Sequence, residues 1–152
     1  MVDYILNKIK DIFTERDIKY YCEEKIGRIG VNFQSCLIMF HVEPDCVHFK
    51  RKFKGDVPKE RQTEVMVYLN YINGMFQEGH MEMDDDGGVS YRISTDISEE
   101  QDISEYRLLR MMRKGMDAQE TFHRQLRRVA DGTVSGEEAY IEVENRMQTK
   151  WV

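Results

Sequence analysis

The sequence predicts an α+β fold, a mainly antiparallel sheet of about five to six strands packed with helices. Near both ends of the chain apolar residues recur every three or four positions, the spacing of one helix face. Through the middle they alternate with polar neighbours, the period of a strand with one buried side. The strand-like runs follow one another across short turns, and no strand-helix-strand unit of the parallel kind recurs.

Ile5, Ile9, Ile12 and Phe13, flanked by Tyr4 and Leu6, predict an amphipathic helix over residues 2 to 16. Two short strands follow, one carrying Ile18, Tyr20 and Cys22 and the other Ile29, Val31 and Phe33, with Gly27 and Gly30 breaking the run. The stretch "CLIMFHVEPDCVHFKRKF" predicts a hairpin that turns at Pro44 and Asp45. In that register His41 faces His48, and Cys36, Ile38, Phe40 and Val42 share the core side with Val47, Phe49, Arg51 and Phe53. Leu37, Met39, His41 and Glu43 then lie on the wetter side with Cys46, His48, Lys50 and Lys52. A slip of one residue would exchange the two sides.

Pro58 suits the first turn of a second helix with Val65, Leu69, Ile72 and Phe76 on one face, and Gly74 and Gly79 stop it. Met81 and Met83, then Val89, Tyr91 and Ile93, mark the strands of a second hairpin. A long helix is expected from Ser104 to Ala130, burying Leu108 or Leu109, Met112, Met116, Phe122, Leu126 and Val129, with Gly115 as a soft point. Asp131-Gly132 ends it, and Ser135, with Glu138 three residues later, caps a short acidic helix. The expected order is α-β-β-β-β-α-β-β-α-α in a single domain over residues 1–152.

The 152 residues carry a formal net charge of −6, which opposes a general nucleic-acid binder, since phosphate neutralisation needs a concentrated basic surface. Charged and apolar residues alternate from the start, so neither a signal peptide nor a membrane span is expected, and the reading is a cytoplasmic protein without membrane partners. Cys22, Cys36 and Cys46 form an odd set in no disulfide spacing and read as reduced thiols.

Few residues suggest chemistry. "EMDDDGGVSYRI", Glu82 to Ile93, places Glu82, Asp84, Asp86 and Gly87 much as a calcium loop would, but Ile93 stands where the bidentate Glu belongs and the flanks alternate as strands. It reads as a hairpin turn, with Asp supplying local hydrogen bonds and Gly87-Gly88 the positive φ angles. His41 and His48, with Cys46 and Glu43 beside them, could ligate a metal, yet no CxxC or HxxxH spacing supports it. No GxSxG elbow, Walker loop or GxGxxG occurs, so no catalytic residue, metal or cofactor is assigned. Glu99-Glu100 and Glu137-Glu138 read as helix-start carboxylates. Arg107, Arg110, Arg113, Lys114, Arg124, Arg127 and Arg128 give the long helix a basic face that either pairs with the acidic last helix or anchors an acidic partner.

The block "VPKERQTEVMVYLNYINGMFQEGHMEMDDDGGVSYRIS" resembles the central block of the YbjN-like family, whose members are catalogued as candidate bacterial sensory transduction regulators. A Val-Pro opens a helix bearing Leu69, Asn70 and Asn73, a Gly-containing link follows, and a strand then leads through Asp86-Gly87 into another strand. The order of elements on either side fits as well, so the resemblance covers about residues 2 to 145. It implies a type III secretion chaperone-like fold, a homodimer, and a non-enzymatic regulator or chaperone-like adaptor that binds another polypeptide. Asn70 and Asn73 are poor helix formers, and both are expected to tie the helix end to the hairpin. The alternative is a small metal-binding protein or enzyme centred on His41, His48 and Cys46.

Overall fold

The computed structural model describes residues 2–33 and 36–150. Among them are four α-helices and six strands in the expected order: α1 (Val2–Glu15), β1 (Tyr21–Glu23), β2 (Arg28–Phe33), β3 (Cys36–Val42), β4 (Cys46–Asp56), α2 (Gln62–Asn73), β5 (His80–Met83), β6 (Gly88–Asp96), α3 (Glu105–Ala130) and α4 (Gly136–Lys150). The strands form one sheet in the order β1-β2-β3-β4-β6-β5, and each consecutive pair from β1 to β4 is antiparallel. This is the α+β class expected. The chain divides into two compact units, Met1–Lys52 with Arg92–Met116 and Phe53–Tyr91 with Asp117–Val152.

In the first unit the register of β3 on β4 has His41 opposite His48 and Val42 opposite Val47, as the Pro44-Asp45 turn requires. Ile38, Phe40 and Val42 are buried with Val47 and Phe49. The side chains between them, Leu37, Met39, His41, His48 and Lys50, stay partly exposed, so the two faces separate by period. Ile5, Leu6, Ile9, Ile12 and Phe13 of α1 cover the buried face, and Phe13, Phe40 and Phe49 run as a chain of tilted rings with centroids 6.3 and 5.1 Å apart. Lys8 ties α1 to the segment before α3, donating to Asp102 at 2.8 Å and to the Ile103 carbonyl at 2.9 Å.

Two local expectations differ here. The first strand is only Tyr21–Glu23, because the Ile18 N–H bonds back to the Phe13 carbonyl and spends residues 16–18 on leaving the helix. Gly30 does not interrupt a strand but lies inside β2, beneath the ring of its cross-strand partner Tyr21. The burial of the Phe33 side chain lies outside the described residues.

The start of α3 buries Leu108, Met111 and Gly115, not Met112, and Met116 is 50% exposed. Repeated steps of four residues rotate a stripe by about 40° each in a helix of 3.6 residues per turn, so 108-112-116 drifts off the face that 108-111-115 keeps. Gly115 is a contact point instead of a soft point: a Cβ there would stand 2.7 Å from the Phe49 ring. Ser104 caps this helix through the Arg107 N–H at 3.2 Å, which leaves Glu99 and Glu100 in the preceding turn and away from any helix start.

In the second unit α2 packs on α4, and Val65, Tyr68, Leu69 and Ile72 are buried. Tyr68 is anchored by a 3.0 Å hydrogen bond to the Phe122 carbonyl, and burial pushes its phenol well above the usual range. Phe76 falls beyond the end of α2 at Gly74 and packs its ring on Tyr91 and Phe122. Ser135 caps α4 by accepting from the Glu138 N–H at 3.1 Å, so Glu137 and Glu138 do sit in a first helical turn.

The Asp-rich turn between β5 and β6 is held by Asp84, whose Oδ1 accepts from the N–H groups of Asp86 at 2.9 Å and Gly88 at 2.8 Å. Of the two glycines only Gly87 has a positive φ, at 86°. Its carbonyl accepts from the Val57 N–H at 2.8 Å, and a Cβ on it would stand 2.3 Å from the Val57 carbonyl oxygen. Asn73 makes a two-way bond with Met81 of β5, donating to its carbonyl at 3.0 Å and accepting from its N–H at 2.7 Å, whereas Asn70 is exposed.

Two stability measurements follow from this geometry. Gly87→Ala meets both the strained φ and the close backbone, and should lower urea-unfolding stability by about 2–4 kcal/mol; an unchanged midpoint would show that the turn does not dock on Val57. Asn73→Ala strands a part-buried N–H and C=O and should cost about 1–3 kcal/mol, while Asn70→Ala should stay within about 0.5 kcal/mol. Equal losses in thermal melts would contradict that division.

Candidate functional site

The open face of the sheet in the first unit gathers side chains that lie far apart in sequence. Arg28 of β2 stands opposite His41 of β3, and His41 stands opposite His48 of β4. His48 Nδ1 and the Ser94 hydroxyl of β6 are 2.6 Å apart, so this row crosses four strands. One step along, Met39 faces Lys50, and antiparallel alternation from the His48–Ser94 contact sets Lys50 beside Arg92. Arg28, Met39, His41, His48, Lys50 and Arg92 together line a shallow depression of 230 Å³. No carboxylate is among these lining residues. Tyr21, 44% exposed, extends the face over Gly30.

The two histidine rings lie 5.8 Å apart, and both approach Glu43, His48 Nε2 at 3.3 Å and His41 Nδ1 at 3.9 Å. Cys46 Sγ stands 3.9 Å from His48 Nδ1, the nitrogen that also meets Ser94. His41, His48 and Cys46 are therefore together, as the hairpin register implied, but His48 is held between Ser94 and Glu43. No grouping of three or more His, Cys, Asp or Glu side chains suited to a metal occurs among the described residues. Burial pushes the Cys46 thiol up, with Glu43, Asp45 and Asp96 adding to the effect, and burial likewise raises Cys22; neither is poised as a thiolate.

The basic residues of α3 divide between the two units. In the first, Arg107, Arg110 and Arg113 are exposed and Lys114 is half-buried. In the second, Arg124 is exposed, and Arg128 bonds Gln125 at 3.0 Å and pairs with Glu142 of the acidic α4. Arg127 is half-buried against Gly55, with its Nη1 buried and without a hydrogen-bond partner among the described residues. Nearby His123 is pushed below its usual range, mainly by burial and further by Arg127, against the opposing hydrogen bond that its ring donates to the Lys54 carbonyl. Arg128 and Arg127 thus serve local packing in the second unit, and the cationic groups that converge on a depression are Arg28, Lys50 and Arg92.

Sequence reasoning reached His41, His48, Cys46 and Glu43 through one hairpin. It missed Arg28, Arg92 and Ser94, whose only sequence signal was their outward place in an alternating strand, because joining them needs β2 and β6 set on either side of that hairpin.

No family model matches the sequence, and no curated protein matches it. Solved structures that share the fold include the following two. One is YbjN, a candidate transcription regulator from E. coli, with a TM-score of 0.55 at 10% identity, covering 74% of this chain and 83% of that one. The other is the ExsC–ExsE complex, with a TM-score of 0.57 at 9% identity over 76% of this chain and 88% of that one. The chain has the fold of these proteins. The likeness is one of fold, and fold alone does not carry a site. Among the described residues no helix is long and apolar enough to cross a membrane.

Proposed function

We propose that this chain is a non-enzymatic polypeptide-binding module, a regulator or chaperone-like adaptor that works in the cytoplasm as a homodimer. The observation that carries the reading is the open sheet face, where six side chains from four strands converge on a depression too shallow to enclose a small molecule. Ligand pockets are commonly about 300–1,000 Å³ and bury most of their ligand, whereas polypeptides bind on open faces of this kind. The fold it shares with ExsC, solved as a complex with ExsE, supports the reading, as does the likeness to YbjN.

One arrangement favours a second reading. The chain Glu43–His48–Ser94 orders a hydroxyl, an imidazole and a carboxylate as general-base chemistry would require. Two measurements on the intact protein separate the readings. Light scattering after size exclusion should give twice the chain mass, and cross-linking in the native cell should join the sheet face to one partner polypeptide. A monomer at every concentration with no cross-linked partner would overturn the adaptor reading, and covalent labelling of Ser94 by a fluorophosphonate would favour the enzyme.

A further inference from the structure

We propose that Asn73 is a site of spontaneous deamidation, in which the Gly74 backbone nitrogen displaces the side-chain amide, and that the change irreversibly loosens β5 from α2. Of the five asparagines, Asn7, Asn32, Asn70, Asn73 and Asn145, only Asn73 precedes a glycine. The reaction depends on that neighbour. Without a side chain, glycine leaves its nitrogen open to the asparagine Cγ and its backbone free to bend into a five-membered ring. Nothing in the fold requires glycine there: φ is −68°, and among the described residues an added Cβ would meet only the Tyr71 carbonyl oxygen, at 3.4 Å, an ordinary contact.

The folded chain keeps both reacting groups occupied. The Gly74 N–H turns back into the end of α2 and donates to the Tyr71 carbonyl at 3.2 Å. The Asn73 amide is taken by Met81, whose carbonyl accepts from Nδ2 at 3.0 Å and whose N–H donates to Oδ1 at 2.7 Å. Gly74 is nonetheless exposed and stands at a helix end, where fraying opens the backbone more readily than in the core. When that turn opens, the Gly74 nitrogen gives up its proton and attacks Cγ, the Cγ–Nδ2 bond breaks, and ammonia leaves with the proton. Water, the one co-reactant, then opens the ring at either of its carbonyls to give aspartate or isoaspartate. The product is a carboxylate with no N–H to donate, so the Met81 carbonyl loses its partner and faces a negative oxygen. Met81 lies on β5, the last strand of the sheet, and this amide joins it to α2. Its release is one-way, because hydrolysis does not return the nitrogen.

The test incubates the full chain in warm, mildly alkaline buffer, once folded and once in urea, and follows peptide masses. Exchange of an amide for a carboxyl adds mass, whereas isomerisation at Asp86-Gly87 or Asp131-Gly132 does not. The gain should fall on Asn73 before any other asparagine. Because the folded chain reacts in proportion to its open fraction, the unfolded chain should convert at least tenfold faster. Gly74→Ala should slow conversion at least tenfold without lowering the melting temperature, since alanine is the better helix former. The same slowing is expected in urea, where a folding defect has no part. The converted protein, separated by its added negative charge, should melt at a lower temperature and exchange its Met81 amide faster. A gain that appears first at another asparagine, an unslowed Gly74→Ala, or equal rates for folded and unfolded chain would each overturn the proposal. So would a converted protein that keeps the melting temperature and Met81 protection of the parent, or a folded chain that gains no mass on prolonged incubation.

Discussion

The pairing of β3 with β4 in the register that sets His41 against His48 is the constraint on which the rest depends. The turn at Pro44 and Asp45 determines it, and Glu43 and Cys46 close it by exchanging both backbone hydrogen bonds, at 2.8 and 3.4 Å. With that register Phe40 and Phe49 meet under α1 and under Gly115 of α3. The same geometry turns Met39, His41, His48 and Lys50 outward. A slip of one residue would turn one strand over against the other, exposing Phe49 and burying His48 and Lys50, or exposing Phe40 and burying His41, at a cost in desolvation alone of several kcal/mol. The core and the candidate site are thus opposite sides of one decision.

Much of this was legible in the chain. The hairpin could be read because its turn residues and its period-two alternation agree, and local agreement of that kind is what makes a register unambiguous. Asn73 was legible as a tie between helix and strand because Asn has reason to be at a helix end only when its side chain finds backbone to bond. Asn70 shares that chemistry but lies on the exposed side of α2, which spacing alone did not decide. Asp86 and Asp84 posed the same ambiguity within the turn, and the one that reaches two backbone N–H groups is Asp84.

What could not be read was long-range. The place of Met111 follows from helix periodicity, but Gly115 as a core position does not, because it is the ring of Phe49 that fills the space the glycine leaves, and no pattern internal to α3 contains that ring. Arg28 and Arg92 were invisible as site residues for the same reason. Their meeting depends on β6 lying beside β4, a pairing of strands about forty residues apart whose entropy cost only the folded sheet repays. Two of the basic residues of α3, conspicuous in sequence, have local partners that spacing did not name: Arg128 meets the acidic last helix and Arg127 the backbone at Gly55.

The most direct test of the account is the β3–β4 register in solution. Because Glu43 and Cys46 form a hydrogen-bonded pair, Val42–Val47 and Phe40–Phe49 are the pairs whose α-protons approach closely. Nuclear Overhauser spectra of the labelled protein should show strong Hα–Hα cross-peaks between Val42 and Val47 and between Phe40 and Phe49. Cross-peaks from Phe40 to His48 or to Lys50 instead would mean that one strand is turned over against the other, and both the core and the depression on the open face would be wrong.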